Sequence, residues 1–290
     1  MHAGDVDAAL DTRVADIAAT LTDGAVAVAA YDYLSGCRWS AAGDRWFHAA
    51  SLIKIAVLLA VFDAVEAGRF TPDSRLHVRN RFFSAHDGSI FRVDPSRDSD
   101  DEVHAAIGRT MRIGDLARHM IAASSNLATN LLLDLVGVEP ARAALARRGI
   151  AGVDLRRGVE DDRAFEAGCI NRVTADGVVS LLRAIRDAAG LSPESSRAMI
   201  DILLAQQFTG GIAPGLPEAV RAGVRVAHKT GDISSVSHDA GLVFLPGRPP
   251  YTVAILVESG GDASARAAAL IAGSRVVYDV VAAAGEAACR

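Results

Sequence analysis

Two residues in the first quarter of the chain are spaced for nucleophilic chemistry. Ser51 and Lys54 are three residues apart, and the apolar residues from Ile55 to Val65 repeat at helical spacing. If a helix begins near Ser51, its hydroxyl and the lysine amine lie on one face, about one turn apart. A serine hydroxyl needs a neighbouring base, and a lysine serves as one if burial or a nearby cation lowers its pKa. Alone, the pair also fits an ordinary first-turn serine beside a solvated lysine.

A polar triplet lies between two predicted apolar helices. Ser124-Ser125-Asn126 follows the helix predicted at Ile113–Ala122 and precedes the one predicted at Leu127–Val136. Such a break can direct hydroxyl and amide groups into a cleft. Helix capping by serine or asparagine explains the same residues when the triplet is taken alone.

A third motif, Lys229-Thr230-Gly231, ends the strand predicted at Val224–Lys229. It supplies a second amine and a hydroxyl, and its glycine lets another group approach the strand closely. The chain therefore carries three polar motifs in order, each next to a predicted helix or strand.

Strand signals lie near the two ends of the chain and helix signals lie between them. This segregation predicts an α+β fold, with an antiparallel sheet of about five strands flanked by terminal helices and an inserted all-helical subdomain. Residues 1–46 and 207–290 form the predicted sheet subdomain, residues 47–206 form the helical one, and both belong to one compact structural unit. The predicted sheet-subdomain elements are helices Asp7–Leu21 and Asp262–Ala284 and strands Ala25–Tyr33, Cys37–Ala41, Val224–Lys229, Ala240–Leu245 and Tyr251–Val257.

The composition excludes several classes of protein. Half of the 290 residues are hydrophobic and the net charge is −5, so a globular chain without a broad basic surface for nucleic acid is expected. No window reaches the roughly 18 apolar residues of a membrane span, and the N-terminus lacks the features of a signal peptide. We expect no membrane partner and a cytoplasmic protein, or a periplasmic or secreted one if a leader has been removed. The spacing of Cys37, Cys169 and Cys289 fits three free thiols.

The polar segment from Arg69 to His104 has little periodicity. A loop of this length in a compact domain is often a lid, and residues 84–104 are the part that would cover a cleft. The spacing of His86, Asp87 and His104 fits no standard metal site, so solvated loop side chains are expected there.

Together the three motifs resemble the S-x-x-K, S-x-N and K-T-G signatures of the serine β-lactamase and penicillin-binding-protein superfamily. The chain is most similar to the class A β-lactamase branch, over nearly its whole length. The resemblance implies the β-lactamase/transpeptidase-like fold, an acyl-serine mechanism, a small-molecule substrate, and neither a cofactor nor a metal.

The resemblance also implies a role for each motif residue. Ser51 would be the acylated nucleophile and Lys54 its base or part of a proton relay. Ser124 would pass a proton to the leaving amine, positioned by Lys229. The backbone N–H groups of Ser51 and Asp232 would form the oxyanion hole.

The remaining motif residues would bind substrate. Asn126 would hydrogen-bond its acyl-side amide, Thr230 would contact its polar end, and Gly231 would allow its close approach to the strand.

Deacylation is the step at which the chain departs most from the family. Class A enzymes use a glutamate after the second motif, with an asparagine four residues later. Glu160 is the nearest match, but Ala164 follows at that spacing; the alternative, Glu166, is followed by Ile170. A smaller departure is Ser125, where class A enzymes usually carry an aspartate.

Asp232 is the third departure. Related enzymes usually have a small or hydroxyl residue here, near the carboxylate of a lactam substrate, and no arginine lies between Gly231 and Asp239 to bind that group. A carboxylate facing the cleft would favour neutral or cationic substrates. Alternatively, Asp232 points away or pairs with Lys229 or His228.

These observations predict a serine hydrolase of class A β-lactamase-like type, with Ser51, Lys54, Ser124, Lys229 and Glu160 as catalytic residues. An esterase, amidase or transacylase acting on a non-lactam small molecule is the first alternative. A penicillin-recognising sensor that is acylated once and does not turn over is the second.

Overall fold

The computed structural model describes residues 3–288, with side chains from Asp7 to Gly285. Cys37 and Cys169 are free thiols, as predicted, whereas Cys289 lies outside the described residues.

The described chain is strand-rich near its two ends and mainly helical between them. The helices are α1 (Ala3–Ala19), α2 (Ile53–Glu66), α3 (Asp101–Ala105), α4 (Ile113–Ala122), α5 (Asn126–Val136), α6 (Val138–Arg147), α7 (Asp162–Glu166), α8 (Ala175–Arg186), α9 (Pro193–Leu204), α10 (Ile212–Gly215), α11 (Glu218–Arg221) and α12 (Ala263–Ala288). The strands are β1 (Ala25–Asp32), β2 (Arg38–Ala41), β3 (Phe47–His48), β4 (Arg75–His77), β5 (Phe82–Phe83), β6 (Ile90–Phe91), β7 (Thr110–Arg112), β8 (Val153–Asp154), β9 (Arg172–Val173), β10 (Arg225–Ile233), β11 (Val236–Phe244) and β12 (Tyr251–Glu258).

The largest sheet confirms the predicted α+β architecture. Its five strands run in the order β10-β11-β12-β1-β2, and each neighbouring pair is antiparallel. The Lys229-Thr230-Gly231 motif lies inside β10 rather than at its end, because the β10–β11 hairpin continues through polar residues to Ile233 and Val236. β10 is an edge strand of this sheet, so one side of its backbone is not paired with another strand of it.

The chain divides into two compact units. The sheet unit comprises Met1–Leu52, Val173–Arg183 and Phe208–Arg290, and the helical unit comprises Ile53–Arg172 and Ala184–Gln207. The chain crosses from one unit to the other directly after Leu52, so Ser51 belongs to the sheet unit and Lys54 to the helical unit.

In the sheet unit, α1 and α12 cover one face of the sheet. Leu10 and Val14 of α1 and Val277 and Val281 of α12 join inward-facing strand residues such as Ile255 in one buried cluster. This burial is the main stabilising contribution to the unit, at about 25 cal/mol per Å² of apolar surface removed from water.

The C-terminal helix departs from one prediction. Residues 263–285 of α12 are long and apolar enough to cross a membrane, with a mean hydropathy of 1.5 over the best window, so the expectation that no window reaches this apolarity is wrong. Alanine raises the average, and α12 packs against α1, β11 and β12 in the sheet unit. Length and composition alone do not distinguish a core helix from a membrane span.

The helical unit is built around α2. Its residues from Ile53 to Phe62 are all buried, because α4, α5, α6 and α9 pack around it. A helix that is apolar on every face is expected to lie inside a core. The unit also contains two small antiparallel strand pairs, β4–β7 and β5–β6, which were not predicted because they are too short to show periodicity.

Candidate active site

Ser51 lies in a 3-10 helix, Ala50–Leu52, that follows a constrained turn. Ala50 has a φ of +43°, a left-handed conformation that costs a residue other than glycine about 1–2 kcal/mol. The N–H of Ala50 donates to Nδ1 of His48 (3.0 Å), and Nε2 of the buried His238 donates to the carbonyl oxygen of His48 (2.9 Å). These bonds fix the backbone directly before Ser51.

His238 is held as a neutral ring. Its Nδ1 accepts a hydrogen bond from the N–H of Val257 (3.2 Å), so its single proton is on Nε2. Burial lowers the pKa of His238 to about 4. The imidazole therefore keeps the same hydrogen bonds throughout the neutral pH range.

Gly231 brings the edge strand β10 against the backbone of Ser51. A Cβ atom on Gly231 would lie 3.2 Å from the backbone nitrogen of Ser51 and 3.3 Å from that of Leu52. Only glycine allows this approach without displacing the turn. The neighbouring Lys229 is fully buried, and its Nζ donates to the carbonyl oxygen of Thr230 (3.0 Å).

Asp232 is exposed and held by a neighbouring strand. One of its carboxylate oxygens accepts a hydrogen bond from Oγ of Ser237 (2.8 Å), the residue opposite it in the β10–β11 register. His228 instead bonds to Asp239 (2.7 Å), so the expected alternative of an Asp232–His228 pair is wrong. Nε of the buried Arg266 donates to the same Ser237 hydroxyl (3.2 Å). This arginine comes from α12 and not from the stretch between Gly231 and Asp239.

In the helical unit, Lys54 is fully buried and its amine has three acceptors. Nζ donates to the carbonyl oxygen of Ser124 (2.6 Å), to Oγ of Ser124 (3.1 Å) and to Oδ1 of Asn126 (2.8 Å). Burial lowers the pKa of Lys54 to about 7, although the charges of Asp98 and Glu160 oppose this shift. Burial is one of the two causes that the sequence analysis considered for a basic lysine.

The polar triplet combines the two functions that the sequence left open. Ser125 caps α5, because its Oγ accepts from the N–H of Ala128 (3.1 Å). Ser124 and Asn126, on either side of it, bond to Lys54. Ser124 has a φ of +59°, and this left-handed conformation accompanies the hydrogen bonds of both its carbonyl and its hydroxyl to Lys54.

Glu160 joins the same network, and Glu166 does not. Oε1 of Glu160 accepts from Nδ2 of Asn126 (2.5 Å), and Oε2 accepts from the N–H of Asp94 (3.2 Å). The Glu160 side chain is only 8% exposed, and burial raises its pKa above the usual range. Glu166 is exposed at the end of α7.

Residues 84–104 are tied to the segment that carries Glu160. Ala85 donates to Asp161 (2.8 Å), Arg97 donates to Asp162 (2.8 Å), and Asp87 accepts from Arg163 (2.9 Å). These are the contacts of an anchored segment rather than of a free lid.

The expectation of solvated side chains is wrong for His104. Its side chain is 9% exposed, and Nε2 lies 3.0 Å from Oδ2 of Asp98. A histidine in a polar stretch carries no local signal of burial, so the sequence pattern does not reveal it. Within the described residues, no three His, Cys, Asp or Glu side chains have metal-binding geometry.

Sequence reasoning missed Asp98 and one compositional signal. Asp98 is one of several aspartates in a polar stretch, so nothing local distinguishes it. The compositional signal was available: only two of the 30 basic side chains are lysines, and these are Lys54 and Lys229. Because arginine stays protonated, these two lysines carry the chain's only titratable side-chain amines.

The chain is similar to known proteins over nearly its whole length. A family model described as the β-lactamase enzyme family matches residues 9–281. The β-lactamase from Sphaerobacter thermophilus DSM 20745 is 28% identical, with a TM-score of 0.80 over 95% of this chain and 98% of that chain. An ancestral class A β-lactamase is 26% identical, with a TM-score of 0.78 over 93% of this chain and 99% of that one. A point variant of PBP-A, determined as its acyl-enzyme complex with penicillin G, is 25% identical, with a TM-score of 0.79 over 94% and 96%. No curated protein sequence matches the chain.

Proposed function

The chain belongs to the β-lactamase enzyme family and is a β-lactamase-like hydrolase, and we propose that it acts through an acyl-Ser51 intermediate. The observation that carries this proposal is Lys54: a fully buried amine, three residues after Ser51, whose pKa is lowered to about 7. A lysine with the ordinary pKa of 10.5 would be neutral in about one molecule in 3,000 at pH 7. Lys54 is neutral in about half.

Acylation begins when neutral Lys54 takes the hydroxyl proton of Ser51 and Oγ attacks the substrate carbonyl carbon. The backbone N–H groups of Ser51 and Asp232 stabilise the resulting oxyanion. When the tetrahedral intermediate collapses, the C–N or C–O bond breaks and the leaving atom receives a proton from Ser124. The Ser124 hydroxyl regains a proton from protonated Lys54, 3.1 Å away.

Deacylation needs a base for water, and Glu160 is the residue proposed for it. Its carboxylate takes a proton from water as the water oxygen attacks the acyl carbon, and Ser51 leaves with a proton returned to its hydroxyl. Asn126 supplies an amide next to Glu160. Ala164, four residues after Glu160, has no polar side-chain atom that could hold the water. We therefore expect acylation to be faster than deacylation.

This imbalance supports the second candidate, an esterase, amidase or transacylase for a non-lactam small molecule. Two observations favour it: Ala164 removes one means of holding a hydrolytic water, and the exposed Asp232 carboxylate disfavours an anionic substrate. A penicillin-recognising sensor is the limiting case, in which the acyl group is retained.

Intact-protein mass spectrometry with nitrocefin, run beside its absorbance assay, tests the proposal. Wild type is expected to show an adduct that Ser51→Ala lacks, and Glu160→Gln is expected to accumulate more of it while turning over more slowly. Glu166→Gln is the matched control, because Glu166 is exposed and is expected to behave like wild type. An adduct that persists in Ser51→Ala would reject the proposal.

If wild type forms an adduct that never turns over, the sensor or transacylase function replaces hydrolysis. If it neither turns over nor forms an adduct, the same experiment is repeated with neutral and cationic esters and amides, which the second candidate predicts to acylate Ser51.

A further inference from the structure

Two aspartate–histidine pairs with buried carboxylates lie close together in the sequence of the helical unit. Asp98 pairs with His104 (3.0 Å), and Asp100 pairs with His119 (2.6 Å). The pairs are alike in chemistry, but they hold different elements. Asp100 caps α3 through the N–H of Glu102 (2.9 Å), whereas Asp98 bonds to the start of α5.

Asp98 makes four hydrogen bonds from a side chain with no exposed surface. Its Oδ1 accepts from the N–H of Asn126 (2.9 Å), and its Oδ2 accepts from the N–H of Leu127 (2.9 Å) and from Oγ of Ser125 (3.4 Å). The fourth bond is the one from Nε2 of His104. The first backbone N–H groups of a helix have no partner within it, and a carboxylate there also interacts favourably with the helix dipole.

His104 fixes this carboxylate in one orientation. A carboxylate oxygen accepts, so Nε2 of His104 donates to Asp98, while its Nδ1 is buried without a hydrogen-bond partner among the described residues. The Oδ2 atom of Asp98 is therefore shared between His104 and the start of α5.

The same segment also holds the Asn126 side chain. Nδ2 of Asn126 donates to the carbonyl oxygen of Arg97 (3.2 Å) as well as to Glu160, while Oδ1 accepts from Lys54. Asp98 thus holds the backbone of Asn126, and the carbonyl of Arg97, the residue before Asp98, holds its side-chain amide. A shift of the α5 start would move the only amide that connects Lys54 with Glu160 within the described network.

We propose that Asp98 is a positioning residue for Lys54 and Glu160, which it orders by holding the backbone of Asn126, and that His104 secures it. This proposal rests on the proposed function only for its effect on catalysis. Asp98 therefore does more than stabilise α5, because its position also sets the electrostatic environment of the Lys54 amine.

The charges around Lys54 give the proposal a direct readout. Within the helical unit, Asp98 and Glu160 both raise the pKa of Lys54 against the effect of burial. Arg97 lies beside Glu160, with Nε 4.0 Å from Oε2, and His104 lies beside Asp98. Asp98→Asn removes one negative charge and nearly preserves volume, so it is expected to lower the pKa of Lys54 further.

Lysine NMR measures this without any substrate. Because the chain has only two lysines, protein labelled with ¹³C-lysine gives two ε-methylene signals, and Lys229→Arg assigns them. In Asp98→Asn the Lys54 titration midpoint is expected to fall by about one pH unit. In Asp100→Asn, which loses the equivalent buried carboxylate of the other pair, it is expected to stay at the wild-type value. A midpoint that moves no further in Asp98→Asn than in Asp100→Asn would overturn the proposal.

Acylation by nitrocefin supplies the second readout. The pH at which the acylation rate is half-maximal is expected to fall with the NMR midpoint in Asp98→Asn and to stay unchanged in Asp100→Asn. If the NMR midpoint moves but no variant, including wild type, is acylated by any lactam, ester or amide, the proposed function fails and the role of Asp98 stands. If wild type is acylated and neither readout moves, the role of Asp98 fails alone.

A second variant covers the case in which Asp98→Asn does not fold. His104→Leu removes the hydrogen bond to Asp98 but keeps the carboxylate, and His119→Leu is its control. Because a carboxylate without its anchor lies farther from Lys54 on average, the Lys54 midpoint is expected to fall in His104→Leu and not in His119→Leu. Equal midpoints in these two variants would overturn the proposal.

Discussion

Nζ of Lys54 donates a 2.8 Å hydrogen bond to Oδ1 of Asn126. The other end of the same amide donates to Glu160 at 2.5 Å. Asn126 therefore connects the residue proposed to activate Ser51 with the residue proposed to activate water. An amide is suited to this place because it offers an acceptor to the amine and a donor to the carboxylate.

Replacing this amide with a carboxylate should disturb both partners. In Asn126→Asp, a new negative charge next to Lys54 is expected to raise its pKa, and the neighbouring charge is expected to raise the pKa of Glu160 as well. Acylation at pH 7 should fall about fivefold for the first unit of rise in the Lys54 pKa and recover as the pH rises, because a pKa raised from about 7 by one unit lowers the neutral fraction of the amine from about one half to about one in eleven. Stopped-flow acylation between pH 6 and 10 measures this. An unchanged pH profile with a uniformly lower rate would show that Asn126 acts only by contacting substrate.

The approach of β10 to Ser51 predicts that Gly231 cannot be enlarged. In Gly231→Ala the added methyl group would lie 3.2 Å from the Ser51 nitrogen, so the backbone N–H proposed for the oxyanion hole must move. Acylation is expected to slow by about tenfold or more, since loss of one oxyanion donor costs about 2.7–4 kcal/mol. Gly260→Ala is the matched control, because a methyl group there meets nothing within 4 Å. Equal rates in the two variants would contradict this account of the oxyanion hole.

Asp232 should determine which substrate charge the site accepts. Asp232→Ser removes an exposed carboxylate that now bonds to Ser237, and acylation by an anionic lactam is expected to accelerate relative to a neutral ester. Asp7→Ser is the control: it makes the same change in net charge at an exposed position on α1 that is distant from Asp232 in the sequence. A preference that changes equally in both variants would indicate a long-range charge effect rather than a local one.

The buried His238 predicts a loss of stability in acid. Its pKa is about 4 in the folded protein and about 6.5 when unfolded, so between these pH values the unfolded chain binds a proton that the folded one does not. The free energy of unfolding should therefore fall as the pH is lowered from 6.5 to 4, by up to about 3 kcal/mol from this group. Urea unfolding of His238→Gln is expected to show a shallower fall, whereas His86→Gln, at an exposed histidine, should match wild type. Parallel curves for all three proteins would contradict the assignment.

An element of this structure could be predicted from the sequence where a local pattern of residues determines it, and could not where tertiary contacts do. The strands of the sheet could be predicted because their apolar residues alternate or run continuously, and the polar extension of β10 and β11 could not, because hairpin pairing rather than apolarity continues them. Ser51, Lys54, Ser124 and Asn126 are found through motif spacing. Their conformations, such as the left-handed φ of Ser124, follow from tertiary hydrogen bonds and leave no local pattern.

The carboxylates illustrate the same limit. The sequence offers Glu160 and Glu166 with similar claims, and only burial and the bond to Asn126 distinguish them. Asp98 and His104 come from a polar stretch that is typical of a solvated loop, yet both are buried because the start of α5 needs a carboxylate and Ser125 is not one. The bonds from α5 to Asp98 and from Asn126 to Glu160 join residues more than twenty positions apart, so no short window of sequence contains both partners.

The central claim is that Ser51 is acylated with the help of a lysine that is neutral near pH 7. The most direct measurement is the pH dependence of the acylation rate, with the adduct mapped by peptide mass spectrometry in wild type and Ser51→Ala. The account predicts one adduct, on the peptide that contains Ser51, and a rate that reaches half its maximum near pH 7. An adduct on another residue, or a rate that continues to rise toward pH 10.5 as for an ordinary lysine, would contradict it.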